Sequence, residues 1–170
     1  MNENYIMLNG KRVDLTDEQI EKLGLKVEKV EMKDPFTKVN DGCHYYAINV
    51  KGELSNIQQI NNDELSDEAY KVANYCTDRS LLQQRAYHET LSRLLWRFSM
   101  QNDGDKIDWD NEFQRKYFIY YDIKYDKTFN IGEICYSHSQ DIFFHTKEIA
   151  QRAIDEIVLP FMKEHPDFVW

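Results

Sequence analysis

Short runs of β-branched and aromatic residues, separated by polar turns, predict three β-hairpins in this chain. The first turn is Asn9-Gly10, a favoured two-residue hairpin connection because both residues tolerate a positive φ. The run QRKYFIYYD at 114–122 is the strongest strand signal in the chain. The paired segments are 5–8 with 12–15, 44–49 with 54–60, and 114–122 with 129–136.

Three helices are predicted where a capping residue precedes an amphipathic segment. Thr16 begins TDEQIEKLG with the spacing of a capping box. Thr77 is predicted to cap a long central helix that reaches about Gln101, and Thr146 to cap a final helix that ends near Pro160. The remaining segments 61–68, 70–75 and 141–145 are predicted as a polar loop and two short strands, in that order.

The chain after residue 35 repeats one order of elements. Each half has a hairpin, a short third strand and a helix capped by threonine, with GEL at 52–54 and GEI at 132–134 in corresponding hairpins. The spacings differ, so the repeat is one of topology. We therefore expect an α+β fold in which helices cover antiparallel hairpins or sheets, with a duplicated βββα unit. One compact domain would then contain an N-terminal hairpin plus short helix at 1–35, a first βββα unit at 36–104 and a second at 105–170.

The predicted central helix is apolar on two sides. At 100° per residue, one side carries a core face of Tyr87, Leu91, Leu94, Leu95 and Phe98. The opposite side carries Leu82, Trp96 and Met100 among Arg85, Glu89 and Arg93. A helix that is apolar on two sides is usually covered on both. The second cover is the N-terminal hairpin and helix, another copy of the chain, or a foreign partner, since Trp and Arg are enriched in interface hot spots.

Composition and charge exclude several classes of protein. The chain has 170 residues, of which 30 are acidic and 21 basic, a formal net charge of −9, and 14% aromatic residues. The aromatic content is typical of a folded domain, and the acidic excess argues against a general binder of phosphate backbones. No apolar run approaches the ~20 residues of a membrane span, and the start MNENYIML lacks the pattern of a secretion signal.

Cysteine and histidine spacing favours free thiols over a metal centre. Cys43, Cys76 and Cys135 are far apart and form no CxxC, which is typical of reduced thiols in a cytosol. Cys43 with His44 and Cys135 with His138 lack the tight ligand pairs of structural zinc. No metal is therefore expected.

Candidate catalytic chemistry is sparse. Ser137-His138-Ser139 with Asp141 is the only close Ser/His/Asp cluster, and no GxSxG elbow accompanies it. The chain also has no Gly-rich phosphate loop. These patterns predict a protein without catalytic residues or cofactors.

Five acidic residues crowd the connector NDGDKIDWDNE between the central helix and the third hairpin. They are Asp103, Asp105, Asp108, Asp110 and Glu112, and residues 102–170 carry −6 of the net charge of −9. An EF-hand register fails, because Gly104 at position 6 places positions 1 and 3 inside the helix. The connector is either a solvated turn that Trp109 anchors to the core, or an acidic patch that replaces nucleic acid on a basic protein surface.

The order of these features is similar to that of small accessory proteins encoded by phages and prophages of Gram-positive bacteria. The similarity lies in LNGKRVDLTDEQIEKLG, the YYAIN and GEL hairpin, the helix after Thr77, IDWDN with QRKYFIYYD, and IFFHTKEIAQRAIDEI. It implies a cytosolic protein made during infection or lysogeny, in a group that includes anti-CRISPR and other defence inhibitors, and it carries over no catalytic residue. ANYCTDRSLLQQRA departs from the acidic, Lys-rich helix start expected of such proteins, so the basic side of this helix is particular to this chain.

The leading prediction is a non-catalytic, phage-type protein in the cytoplasm of a bacterial host. It would bind and inhibit a defence protein or ribonucleoprotein effector, and a homo-oligomer is left open. The expected contact residues are Arg85, Glu89, Arg93, Trp96, Arg97 and the five acidic residues of the connector. One alternative is a protein whose aromatic pockets sequester a signalling nucleotide. The other is a nucleic-acid-binding module that uses Arg79, Arg85, Arg93 and Arg97.

Overall fold

A computed structural model describes residues 5–8, 11–14, 22, 34–60, 63–124, 127–136 and 141–170. The chain divides into two compact units, Met1–Asp34 and Pro35–Trp170. In the first unit, strands β1 (Tyr5–Leu8) and β2 (Lys11–Asp14) pair antiparallel, which confirms the first predicted hairpin. The helix predicted from Thr16 lies outside the described residues, apart from Lys22.

The described part of the second unit contains two antiparallel hairpins, which pair β3 with β4 and β5 with β6. The strands are β3 (His44–Ile48), β4 (Leu54–Gln58), β5 (Lys116–Asp122) and β6 (Thr128–Ile134). The helical segments are α1 (Glu64–Lys71), α2 (Arg79–Gln101), a 3-10 turn (Gly104–Lys106), α3 (Lys147–Ala153), a π-helical turn (Ile154–Val158) and α4 (Leu159–Glu164). The predicted α+β class is therefore confirmed.

Each hairpin of the second unit gains one bridging residue in place of a third strand. Tyr46 pairs with Cys76 just before α2, and Tyr117 pairs with Phe144 just before α3. The order of hairpin, bridge and helix thus occurs twice. The strand predicted at 70–75 is wrong, because α1 extends into that segment and Ala73 then turns the chain with a φ of 55°. The strand predicted at 141–145 is reduced to the single bridge at Phe144. The division into separate units at 36–104 and 105–170 stays a prediction.

Helix α1 occupies most of the segment that its polar composition predicts as a loop. Its N-cap is Asp63, whose carboxylate accepts hydrogen bonds from the backbone N–H groups of Leu65 and Ser66. The hydroxyl of Ser66 also donates to Asp63, which lowers the pKa of that carboxyl. The same buried hydroxyl lies 3.0 Å from the Tyr45 hydroxyl. Capping and a buried polar contact therefore stabilise a helix that a hydrophobic pattern does not reveal.

Helix α2 begins at Arg79 and is capped by Asp78, so the prediction of a Thr77 cap is wrong. The Asp78 carboxylate accepts a hydrogen bond from Leu81 N at 3.0 Å. Thr77 is occupied elsewhere, since its backbone N–H and its hydroxyl both donate to the Pro35 carbonyl. Thr146, in contrast, caps α3 as predicted and accepts a hydrogen bond from Ile149 N at 3.3 Å.

The final helix continues through Pro160 to Glu164, beyond its predicted end. Pro160 has no backbone N–H and would normally interrupt an α-helix. The π-helical turn Ile154–Val158 comes directly before it and shifts the hydrogen-bond register. The proline then lies in the first turn of α4, where a missing N–H costs little.

The main core lies where α2 packs against the final helix and the β5–β6 hairpin. Its buried residues are Leu91, Leu95, Phe98, Phe144, Ala150, Ala153, Val158, Phe161 and Phe168. This confirms the predicted core face of α2. A smaller cluster of Ile48, Cys76, Leu82 and Ala86 joins the β3–β4 hairpin to the first turns of α2.

Candidate functional site

The segment 103–114, which we call the acidic loop, leaves α2 through a tightly constrained turn. Asp103 has a left-handed φ of 66°, which aspartate tolerates better than most residues. The Lys106 ammonium lies 2.8 Å from the Asp103 carboxylate, and their hydrogen bond lowers the pKa of that carboxyl. Gly104 passes so close to Ser99 that a Cβ at 104 would lie 2.7 Å from the Ser99 carbonyl oxygen. The start of the loop is therefore set by backbone packing.

Side chains of the acidic loop hold its own backbone in shape. The Gln114 amide donates to the Lys106 carbonyl at 3.0 Å and accepts from Asp108 N at 2.6 Å, which closes the loop across its width. Two Asx turns lie between these residues, with Asp110 N donating to Asp108 and Phe113 N donating to Asn111. Hydrogen bonds from the loop's own side chains to its backbone thus help to set its shape.

A buried lysine at the start of β5 supports the acidic loop from beneath. Lys116 is only 1% exposed, and its ammonium donates to the carbonyls of Asn111, Gln114 and Cys135 at 3.1–3.2 Å. The same nitrogen lies 5.6 Å from the centre of the Trp109 ring. All three N–H donors of a lysine are therefore used to bind backbone carbonyls of the loop and of the segment after β6.

The surface of the acidic loop carries exposed charges together with the apolar side chain of Phe113. All five predicted acidic residues, Asp103, Asp105, Asp108, Asp110 and Glu112, are exposed. Phe113 lies among them with 84% of its surface exposed. Trp109 instead packs edge-on against the buried Phe143, with ring centres 5.2 Å apart, as the anchoring interpretation expects. Sequence reasoning identified the acidic residues and missed both Phe113 and Lys116.

The Arg and Trp side of α2 divides into a covered part and an uncovered part. Leu82 is 1% exposed beneath the β3–β4 hairpin, so the chain itself covers this part of the helix face. Trp96 and Met100, which lie further along the helix, remain 59% and 43% exposed. Of the three apolar residues predicted on this side of the helix, Leu82 is thus buried, whereas Trp96 and Met100 are exposed.

The arginines of this side are partly neutralised by one carboxylate. The Glu89 carboxylate accepts a hydrogen bond from Arg85 Nε at 2.7 Å and lies 3.8 Å from Arg93 Nη2. Arg85 also donates to the Ala73 carbonyl. These contacts leave little free positive charge between residues 85 and 93, which does not favour a nucleic-acid-binding face.

Three of the described cavities lack the concentrated positive charge of a nucleotide site. A cavity of about 300 Å³ between α2, β5 and residues 141–144 has no lysine or arginine among its described lining residues. Two grooves beside α2 contain Arg79 and Lys51, but each also contains a carboxylate, from Asp167 and from Glu53 respectively. A nucleotide phosphate would need a more concentrated positive charge.

The candidate catalytic and metal-binding residues do not assemble into a centre in the part of the chain that is described. Ser137, His138 and Ser139 lie outside that part. Among the described residues, no group of three or more His, Cys, Asp or Glu is placed to hold a metal ion. Cys76 is buried and Cys43 is exposed.

Comparison with known proteins gives no relative from which to transfer a function. No protein-family model matches the chain, and neither a curated protein nor a solved structure is significantly similar to it. In the described ranges, no helix has both the length and the apolar character needed to cross a membrane.

Proposed function

We propose that this chain is a non-catalytic, phage-type accessory protein that binds and inhibits a bacterial antiviral defence component, as anti-CRISPR proteins do. The acidic loop would occupy a basic, nucleic-acid-binding surface of that component. The observation that supports the proposal is the way the loop is built. The loop carries five exposed carboxylates and the exposed Phe113, and the buried Lys116 binds its backbone.

A loop that is already ordered binds at a lower entropic cost. Association otherwise has to order flexible loops and side chains at the interface. In the acidic loop, the Gln114 side chain and the Lys116 ammonium hold the backbone before any partner arrives. Phe113 then offers an apolar anchor of the kind that contributes most to interface energies.

The charge of the acidic loop indicates the chemistry of the partner. Residues 103–114 contain five acidic residues and one lysine. Surfaces that bind phosphate backbones are rich in lysine and arginine, and a group of exposed carboxylates is attracted to the same side chains. The resemblance to phage accessory proteins that the sequence analysis expects, which no matched protein supports, directs the proposal towards nucleic-acid-handling defence systems.

A plaquing assay tests this function directly. The protein is expressed in Gram-positive strains that each carry one defence system, and a phage sensitive to that system is plated. In at least one strain, the wild-type protein is expected to restore plaquing to the level of the strain without defence. A loop variant is expected to restore none. It carries Asp105→Asn, Asp108→Asn, Asp110→Asn, Glu112→Gln and Phe113→Ala, and the amides keep the hydrogen-bond acceptor that Asp108 supplies.

A control variant separates the effect of the acidic loop on plaquing from the effect of the overall charge of the protein. It neutralises the same number of exposed acidic residues elsewhere, through Glu68→Gln, Asp155→Asn, Glu156→Gln and Glu164→Gln. We expect it to act like the wild type. The proposal fails if no strain recovers plaquing with the wild-type protein, or if the loop variant restores plaquing fully.

A further inference from the structure

Phe113 and Tyr136 are the two most exposed aromatic side chains in the part of the chain that the structure describes. Phe113 is 84% exposed and Tyr136 is 88% exposed, whereas Trp96, the next in order, is 59% exposed. One exposed apolar residue is ordinary on a protein surface, but two aromatic rings that lie together are typical of a surface that a partner covers. The backbone contacts around Phe113 and Tyr136 place them on one surface.

Phe113 lies in a β-turn whose first and last residues are bound by Lys116. Gln114 N donates to the Asn111 carbonyl at 3.3 Å, so Phe113 occupies the third position of that turn. The Lys116 ammonium donates to the carbonyls of both Asn111 and Gln114. The buried ammonium therefore holds the turn from the inside, while the Phe113 ring remains in solvent.

The Lys116 ammonium also holds the backbone directly before Tyr136. It donates to the Cys135 carbonyl at 3.2 Å and to the Gln114 carbonyl at 3.1 Å. These two carbonyl oxygens therefore lie no more than about 6 Å apart. Each oxygen belongs to a residue next to one of the rings, since Gln114 follows Phe113 and Cys135 precedes Tyr136. The two exposed rings are thus carried by adjoining segments that one buried cation holds together.

The charge beside the two rings is negative. Glu112 directly precedes Phe113, and its side chain is exposed. The two exposed cations of this stretch are Lys106 and Arg115, and each is bound to another carboxylate, that of Asp103 or Glu133 respectively. Neither cation is therefore paired with Glu112. A partner of this surface has to supply positive charge and cover two aromatic rings at the same place.

We propose that the surface formed by the acidic loop and Tyr136 docks in a groove of the defence component that binds single-stranded nucleic acid. Carboxylates of the loop would lie where phosphates bind, and the rings of Phe113 and Tyr136 where bases stack. Such grooves combine lysine and arginine along the strand with aromatic side chains or guanidinium planes that stack on successive bases. The single-strand groove narrows the proposed function and rests on it.

A groove for single strands fits the two rings better than a surface for duplexes does. The bases of a duplex are stacked inside it, so proteins outside contact phosphates, sugars and base edges. A surface that replaces a duplex therefore needs carboxylates but no exposed ring faces. In a single strand, the ring faces of the bases are available for stacking. A purely apolar pocket fits worse than either, because it would bury the carboxylate of Glu112 without a counter-charge.

Competition with oligonucleotides tests the class of groove, on the defence component that the plaquing assay identifies. Fluorescently labelled wild-type protein is bound to that component and displaced by single-stranded oligo-dT or oligo-U of about 20 nucleotides, or by DNA and RNA duplexes of the same length. We expect the better single strand to displace half of the protein at a phosphate concentration at least about tenfold lower than either duplex needs. If charge alone decided, the duplexes would compete at least as well, because their phosphates are more densely spaced.

Ring-removing and ring-retaining variants test the stacking. Phe113→Leu and Tyr136→Leu keep an apolar side chain without a planar ring, and each is expected to raise the dissociation constant for the component at least about tenfold. Phe113→Tyr and Tyr136→Phe keep the ring and are expected to stay within about threefold of the wild type. Tyr70→Leu, at a tyrosine of α1 that is 44% exposed, is the matched control and is expected to bind like the wild type. Because Phe113 and Tyr136 are exposed, their replacement is not expected to disturb folding.

The outcomes distinguish failure of the single-strand groove from failure of the proposed function. If a duplex displaces the protein as well as a single strand does, the component binds the loop through a duplex surface, and only the single-strand groove is overturned. Leucine variants that bind as tightly as the wild type would also overturn it, because the rings would then not be stacked. If no oligonucleotide displaces the protein, or if plaquing identifies no component, the single-strand groove and the proposed function both fail.

Discussion

Lys116→Met is expected to lower the free energy of unfolding by about 3 kcal/mol, because it removes three hydrogen bonds from a charged donor at a buried position. Methionine has an unbranched side chain of similar length, so the substitution mainly removes the charge and the N–H donors of the ammonium group. The carbonyls of Asn111, Gln114 and Cys135 lose their shared partner. Since two of these carbonyls, those of Asn111 and Gln114, belong to the acidic loop, the loss acts on the loop first.

Urea unfolding of the wild type and of Lys116→Met measures this effect. Arg115→Met is the matched control, because Arg115 is a neighbouring cation with an exposed ion pair to Glu133, and such a pair contributes less than about 1 kcal/mol. Hydrogen exchange is measured on both proteins. Relative to the wild type, Lys116→Met is expected to exchange faster at 108–114, with a smaller increase at the core residues of α2. A Lys116→Met protein within about 0.5 kcal/mol of the wild type would contradict the supporting role of the ammonium.

Gly104→Ala is expected to destabilise the protein by about 2 kcal/mol through a steric clash with backbone atoms. The new Cβ would lie 2.7 Å from the carbonyl oxygen and 2.8 Å from the carbonyl carbon of Ser99. Ser99 cannot move freely, because it lies in α2 and its buried hydroxyl donates to the Phe143 carbonyl at 2.6 Å. The 3-10 turn must therefore shift away from the helix, and the acidic loop shifts with it.

Thermal or urea unfolding compares Gly104→Ala with Gln101→Ala. Gln101 is an exposed residue at the end of the same helix, and its replacement is expected to change stability by less than about 0.5 kcal/mol. If Gly104→Ala were as stable as Gln101→Ala, the close approach of the turn to Ser99 would be wrong.

The hairpins were accessible from sequence because their signals are local. Alternating apolar residues and a turn such as Asn9-Gly10 act within a few positions, so strand pairing and the α+β class follow from them. The errors arise where a distant contact decides, or where a local cap or helical turn has no hydrophobic pattern that reveals it. Thr77 does not cap α2 because Pro35 binds it, and α1 forms because Asp63 and the buried Ser66 stabilise it. The helix passes Pro160 because a π-helical turn precedes it.

The charge of the acidic loop could be predicted from the sequence, but the contacts that hold the loop in shape could not. A count of charges along the sequence identifies the acidic residues of 103–112. The same sequence indicates that Lys116 is a solvated cation at the end of a strand. One signal was available, since strand alternation places Lys116 on the same face as Phe118, an aromatic residue that packs against Phe143. The exposure of Phe113 depends on the folded shape of the loop, which no local pattern specifies.

Direct binding to the defence component identified by plaquing tests the central claim, that the acidic loop is the surface that binds the target. Affinity is measured by titration calorimetry at about 50 and about 200 mM salt, for the wild type, the loop variant and the control variant with four neutralised acids outside the loop. We predict that the loop variant binds at least about tenfold more weakly, that the control binds like the wild type, and that added salt weakens wild-type binding. A loop variant that binds as tightly as the wild type, with an affinity unchanged by salt, would contradict the account.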